Sequence, residues 1–188
     1  MSNKTIIGLC GFAGSGKDTV AAMICEEGFK QVAFADKLRD FAAALNAFIP
    51  EAGDYYINII EKHGYEAAKR DIPGIREYLI RIGHCARTTI YESIWIDSAL
   101  KYNDHDKIVV SDVRYPNEAD AIHALGGVVW RIVRPGFDGI HETEKASVPL
   151  VQCDSIIENN GTINNLQEQV DCLMFLKFEF KPIDINNF

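Results

Sequence analysis

No stretch of this sequence comes near the ~20 consecutive apolar residues that a membrane-spanning helix needs. Basic charge is also in short supply. Nineteen Lys and Arg stand against 27 Asp and Glu, a net charge of −8. A broadly acidic surface argues against duplex nucleic acid or an anionic membrane as partner, since both call for a basic footprint. A small anionic ligand stays open, because it needs only a local cluster of Arg and Lys. The five cysteines, Cys10, Cys25, Cys85, Cys153 and Cys172, are odd in number, widely spaced and free of any CxxC pair. That excludes a disulfide framework and a zinc-finger ligand set and predicts free thiols in a reducing compartment. No repeat, low-complexity tract or long linker divides the chain. Met1–Lys4 run straight into a strand-like segment, so no signal peptide is expected and a cytoplasmic protein is. What is present is 188 residues with 47% hydrophobic content, enough for one globular domain with a sizeable core.

Apolar, β-branched runs and amphipathic stretches alternate along the chain. Strands are predicted at Thr5–Cys10, Gln31–Ala35, Lys107–Val113, Val128–Val133 and Ser155–Glu158. Helices are predicted at Lys17–Glu27, from a capping Asp36 to about Phe48, at Gly53–Arg70, at Gly74–Lys101 with a break near Gly83, at Asn117–Leu125 and at Thr162–Phe178. Pro135–Pro149 shows little periodicity and reads as a loop or lid. The alternation implies parallel βαβ units in a doubly wound α/β sheet, whose ligands bind at the carboxyl ends of the strands.

The strongest motif follows the first strand. Gly11-Phe12-Ala13-Gly14-Ser15-Gly16-Lys17 fits GxxxxGK, with a strand before it and a helix beginning at its end. Glycines let the backbone curl so that several N–H groups face phosphate oxygens, and the helix adds its positive dipole end. Lys17 would reach the β- and γ-phosphates. The bland alternative is a Gly-rich turn that merely joins strand to helix. The residue after Lys17 is Asp18 where Ser or Thr is usual, and Thr19 comes next. Either Thr19 takes over the hydroxyl role toward magnesium, or the ion is held mostly through water. Asp18 would then orient that water or the acceptor.

Three further segments carry a resemblance. Gly16-Lys17-Asp18-Thr19 suggests a nucleotide kinase. Val110-Ser111-Asp112-Val113-Arg114-Tyr115-Pro116-Asn117-Glu118-Ala119-Asp120 is followed by Gly126-Gly127 and Val133-Arg134-Pro135-Gly136. His141-Glu142-Thr143-Glu144 is followed by Ile157-Glu158-Asn159-Asn160-Gly161-Thr162. With Leu79-Ile80-Arg81-Ile82-Gly83 and Trp95, these resemble the deoxynucleoside monophosphate kinases of tailed bacteriophages, the T-even type included. The likeness runs from about Ile7 to Leu173. It implies a P-loop fold of the adenylate-kinase type in a single domain, with a helical acceptor-binding segment at about 36–103 and a lid at about 135–149. It also implies ATP with magnesium as donor, a deoxynucleoside monophosphate as acceptor, a homodimer and, if the chain is phage-encoded, the host cytoplasm as location.

Phosphoryl transfer asks a protein mainly for positioning and positive charge. Arg114, just past a strand, is the first choice for the acceptor phosphate, because a guanidinium offers a bidentate fork; the alternative is a surface ion pair with Glu118. Asp112 ends an apolar strand, where it can hold magnesium through water or cap the next turn. Arg39 is placed to meet the monophosphate or stand exposed on its helix. Arg76, Arg81 and Arg87 lie on the expected acceptor segment, but Arg81 and Arg87 are six residues apart and do not share a helix face well. Trp95 and Tyr91, four apart, would either wall a base pocket or pack in the core. Arg134 is placed to reach the transferring phosphoryl group when the lid closes, whereas Arg131 alternates with apolar residues and would face solvent. Asn160 and Gly161 would contact the adenine of ATP or simply form a turn with Thr162 as cap. His141 as general base is the weakest candidate, because a phosphate acceptor is already ionised. Two other functions compete: a dephospho-coenzyme A kinase, and a nucleotide-binding regulatory module that transfers nothing.

Overall fold

A computed structural model of the chain describes residues 4–139 and 142–179. In chain order the elements are β1 (Thr5–Cys10), α1 (Lys17–Glu26), β2 (Lys30–Val32), α2 (Phe34–Leu45), β3 (Phe48–Ile49), β4 (Asp54–Tyr55), α3 (Tyr56–His63), α4 (Tyr65–Asp71), α5 (Pro73–Thr89) and α6 (Ile94–Leu100). There follow β5 (Lys107–Val113), α7 (Pro116–Ala124), β6 (Val128–Val133), α8 (Glu142–Ser147), a 3-10 turn at Val148–Leu150, β7 (Ser155–Glu158) and α9 (Ile163–Met174), which runs into a π-helical stretch, Phe175–Glu179. They form two compact units, one up to Val32 and from His105 onward, the other Ala33–Asp104. Among the described residues no helix is long and apolar enough to cross a membrane.

The first unit is built on a five-stranded sheet in the order β2-β5-β1-β6-β7. Every pairing in it is parallel. A parallel sheet covered on both faces needs strands that are apolar on both sides, and β1 answers that need: Ile6, Ile7, Leu9 and Cys10 are all at most 1% exposed. Helices α1 and α9 pack Val20, Ile24, Leu166 and Val170 into one core with Ile7, Leu9, Trp130 and Ile157. The chain leaves β1 for β2 on one side of it and later crosses to β6 on the other. The carboxyl end of β1 is therefore a switch point, where such sheets bind ligands. Because the strands are parallel, Gly11, Arg114, Arg134 and Asn159 each stand first after a strand at the same edge. The doubly wound α/β class expected from the sequence is the one observed.

The second unit consists of α2–α6 and the antiparallel pair β3–β4, in which Phe48 faces Tyr55. Its own core holds Ala42, Ile49, Tyr56, Ile59, Ala68, Ile75 and Leu79. Here several sequence expectations need correction. The stretch expected as one helix, Gly53–Arg70, is a short strand and two helices parted at Gly64, whose φ of 75° cannot continue a helix. Helix α5 passes through Gly83 without a break. That glycine is buried against Leu38, and its carbonyl accepts the Trp95 indole N–H at 3.2 Å, so it serves packing rather than termination. Asp36 lies in the first turn of α2, not at its cap, and its carboxylate accepts the N–H of the capping residue Ala33 at 2.8 Å.

The segment expected as a loop at Pro135–Pro149 contains α8 and the 3-10 turn. Six residues span under two turns, too few for an apolar stripe to show as a period. Strand β2 stops at Val32, three residues earlier than predicted, because Ala33 already begins the capping of α2. His141 lies outside the described residues.

Candidate active site

The phosphate loop joins β1 to α1 in the first unit. Gly16 caps α1 in the left-handed region, at φ 103°, and offers no side-chain cap to the first-turn amides. A helix start without a side-chain acceptor is what an anion completes. Gly14 is also left-handed, at φ 79°, and lies under the Phe137 ring, 2.6 Å from where a Cβ would stand. Lys17 Nζ donates to the carbonyls of Gly11 and Phe12, both at 2.8 Å, folding back over the loop it serves. Ser15 is buried, and its Oγ has no hydrogen-bond partner among the described residues. Orphaned buried hydroxyls are costly, and this one sits in a loop whose backbone and lysine suit phosphate. Ala13 is half-buried within the same loop, and Asp18 and Thr19 lie exposed in the first turn of α1.

An arginine that follows β6 reaches this loop. Arg134, first after β6, donates from Nη1 to the Gly14 carbonyl at 3.3 Å, and its guanidinium lies 4.6 Å over the Phe137 ring. Gly139 in turn lies against the Phe12 ring of the loop. Residues after β6 thus cover the loop through two glycine–aromatic contacts. Arg131 does not face solvent as expected. It is half-buried, and its Nη2 donates to Val148 O at 3.0 Å and Val151 O at 2.7 Å, tying down the turn after α8. Close by, Cys153 donates to Val151 O at 3.6 Å and Cys10 to Val148 O at 4.0 Å. The neighbouring Cys10 thiol, and then Arg131, draw the Cys153 thiol below its ordinary range, while Cys153 and burial push Cys10 far above its own.

Arg114 is exposed at the end of β5, next to half-buried Asp112. The sequence left Arg114 a choice between substrate and an ion pair with Glu118. In the structure the Glu118 carboxylate accepts backbone amides instead, from Arg114 N at 2.7 Å and Tyr115 N at 3.0 Å. Burial pushes the Glu118 carboxyl up to about 7, with Asp112 adding to the rise and the two amides and the Arg114 guanidinium opposing it.

The remaining basic candidates lie in the second unit. Arg39 bonds Asp36 at 3.1 Å, lies 4.5 Å over the Tyr65 ring, and has a buried Nε with no hydrogen-bond partner among the described residues. Arg76 and Arg87 are exposed on α5, and Arg81, also exposed, stands 3.9 Å from Glu77. Trp95 bonds Gly83 and meets the Phe41 ring at a centroid distance of 6.0 Å, so its contacts here are those of a packing residue. Asn160 bonds Glu158 at 3.0 Å, and Gly161 packs against Asn165, which shares a capping box with Thr162.

Three contributions escaped the sequence reading: Phe137, Glu118 as a backbone acceptor, and the bond of Asn159, expected only as part of the adenine loop, to the phosphate loop. Asn159 Nδ2 donates to the Ser15 carbonyl at 2.9 Å. A signal for it existed, since it is the first residue past a strand, as Arg114 and Arg134 are.

The donor groups suit a metal that arrives with a nucleotide rather than a protein cage. Among the described residues no three His, Cys, Asp or Glu side chains converge. Thr19 and Asp112 offer one hydroxyl and one carboxylate, which fits magnesium bound through phosphate oxygens and water.

Comparison with known proteins agrees with this chemistry. A profile of the deoxynucleotide monophosphate kinase family matches residues 86–170. A protein of Acanthamoeba polyphaga mimivirus, provisionally named a deoxynucleotide monophosphate kinase, is 30% identical over 182 residues, 88% of this chain and 93% of its own. The deoxynucleotide monophosphate kinase of Escherichia phage RB69 is 27% identical over 139 residues, 66% of this chain and 55% of its own. That of Enterobacteria phage T4 is 35% identical over 78 residues, 40% of this chain and 32% of its own. Among solved structures, shikimate kinase from Acinetobacter baumannii aligns with a TM-score of 0.48 at 14% identity, covering 95% of each chain. Dephospho-CoA kinase from Campylobacter jejuni aligns at 0.46 and 16%, covering 92% of this chain and 96% of its own. With the mimivirus protein matched along nearly the whole of both sequences, the chain belongs to the deoxynucleotide monophosphate kinase family.

Proposed function

We propose that this chain transfers the γ-phosphoryl group of ATP to a deoxynucleoside monophosphate, giving the diphosphate. The observation that carries the reading is the phosphate loop, in which Lys17 and Arg134 both bond loop carbonyls. Two cationic side chains at one curled loop suit the β- and γ-phosphates and the charge that spreads over the transferring group. Gly11, Ala13, Gly14, Ser15, Gly16, Lys17, Asp18 and Thr19 bind the triphosphate, and Asn160 with Gly161 contacts adenine. Thr19 and Asp112 would hold magnesium, mainly through water, and the ion when bound supplies neutralisation of phosphate charge.

Arg114 binds the acceptor phosphate. Its backbone is fixed by Glu118, so the guanidinium projects from a held turn. Arg39, Arg76, Arg81, Arg87 and Trp95 are the candidates for the rest of the acceptor. Arg39 has the best support, because its buried Nε has no hydrogen-bond partner among the described residues, which leaves a donor to be satisfied. No general base is required, since the attacking phosphate oxygen is already ionised. The segment after β6 excludes water over the loop, which protects ATP from hydrolysis. The enzyme acts in the cytoplasm, of the host if the chain is phage-encoded, without a membrane or a nucleic-acid polymer as partner. A homodimer is the assembly to test by sedimentation.

The deciding experiment is a coupled ADP-release assay with ATP, magnesium and a panel of deoxy- and ribonucleoside monophosphates plus dephospho-coenzyme A. Turnover with one or more deoxynucleotides supports the reading and names the acceptor. Turnover with dephospho-coenzyme A alone replaces the acceptor class. ADP release indifferent to every acceptor leaves a nucleotide-binding module and removes the acceptor-site assignments.

A further inference from the structure

Asn159 does something different from its neighbours in the Asn159-Asn160-Gly161-Thr162 turn. Its backbone N–H continues the β6–β7 ladder by donating to Val133 O at 2.8 Å. Its side chain turns toward the phosphate loop, where Nδ2 donates to the Ser15 carbonyl at 2.9 Å. The contact depends on Gly16: a Cβ at that position would collide with Asn159 Nδ2. The next carbonyl back, that of Gly14, accepts from Arg134 at 3.3 Å. Two successive carbonyls of the loop are thus held by the first residues after two strands.

The consequence follows from peptide geometry. No cis peptide bond occurs among the described residues, and across a planar trans peptide the C=O of Ser15 and the N–H of Gly16 point in opposite directions. Fixing the Ser15 carbonyl on Asn159 therefore fixes the Gly16 N–H on the other side of that peptide. Glycine at φ 103° is otherwise the residue most free to flip the plane. A wrongly turned peptide here would present a carbonyl oxygen to an anion in place of a donor.

We infer that Asn159 is a positioning residue for the donor phosphates: its carboxamide sets the Ser15–Gly16 peptide so that the Gly16 amide serves as a phosphate ligand. This rests on the donor reading of the loop, and the test separates the two. Binding of a non-hydrolysable ATP analogue with magnesium is measured by calorimetry for the wild type, Asn159→Asp and Asn159→Ala, beside the acceptor KM and the thermal midpoint. Asn159→Asp keeps the shape but replaces the donor by a charged acceptor; Asn159→Ala removes the group and keeps the backbone bond to Val133.

The expected result is a loss of analogue affinity of about tenfold in Asn159→Ala, the scale of one oriented hydrogen bond, and a larger loss in Asn159→Asp. The acceptor KM should stay within about twofold in both. Failure of the wild type to bind the analogue would defeat the donor reading itself. Wild-type binding with unchanged affinity in both variants would overturn the inference alone. So would equal losses for donor and acceptor accompanied by a lowered thermal midpoint, which would make Asn159 a merely structural residue.

Discussion

At the scale of single residues, the proposed function gives Lys17 and Arg134 one task by different routes. Lys17 comes from the helix start and folds back on Gly11 and Phe12, while Arg134 comes from β6 and is steadied by the Phe137 ring. Removing a group that stabilises transition-state charge costs on the order of 10²–10³ in kcat. Lys17→Ala and Arg134→Ala should each fall by that much in steady-state assays, with acceptor KM little changed. Cys153 makes a second residue-scale prediction. Because the Cys10 thiol and Arg131 lie beside it, its thiolate should persist to unusually low pH. Alkylation of Cys153 by iodoacetamide, followed by mass spectrometry, should rise with pH about a midpoint below that of an ordinary thiol, and Arg131→Met should move the midpoint upward. The phosphate loop was legible in the sequence because its chemistry is local: glycine, lysine and spacing are all in one heptapeptide. The contacts of Arg131 were not, because period-2 alternation says which side of a strand a residue takes but not that a returning turn covers that side.

At the scale of elements, α7 begins on a half-buried acid. Glu118 binds its proton more tightly in the folded chain, where its pKa is about 7, than at its ordinary value of 4.5. Its contribution to stability is therefore present at acid pH and is lost as pH rises from about 4.5 through about 7. The difference in urea midpoint between the wild type and Glu118→Gln should change across that window and level off above it. In β1, Gly8 leaves no room for a side chain: a Cβ would stand 2.7 Å from Ile122 Cδ1 and 3.0 Å from Val113 Cγ2. Gly8→Ala should destabilise by about 1–3 kcal/mol through overpacking, measurable by denaturant unfolding. The long strands were readable at their full bounds, Lys107–Val113 and Val128–Val133 among them, since burial on both faces leaves mostly apolar segments such as Ile108-Val109-Val110 and Val128-Val129-Trp130. The helical unit was not. Its helices are short, Gly64 divides two of them, and Gly83, which looks like a breaker, is used to let Leu38 approach.

At the scale of the whole molecule, a ligand that binds only the folded chain stabilises it by mass action. ATP with magnesium at a hundred times its Kd should add about 2.7 kcal/mol to the unfolding free energy. The matching rise in thermal midpoint should largely vanish in Lys17→Ala. A rise unchanged by that substitution would put the nucleotide somewhere other than the phosphate loop.

The sequence by itself determined the sheet class, the phosphate loop and the basic residues that follow the strands, because each is encoded by local pattern: apolar runs, glycine spacing and the residue type just past a strand. Only the tertiary structure decided which carbonyl each of those residues would hold. Arg134 and Asn159 meet the loop between β1 and α1 across sequence separations of 120 and 144 residues, and they do so because parallel pairing brings the ends of β1, β6 and β7 to one edge. The same folding turned Glu118 onto the amides of Arg114 and Tyr115 and put Trp95 onto Gly83. A side chain's type is written in the sequence, but its partner is set by which ends of the chain the fold brings within hydrogen-bonding distance.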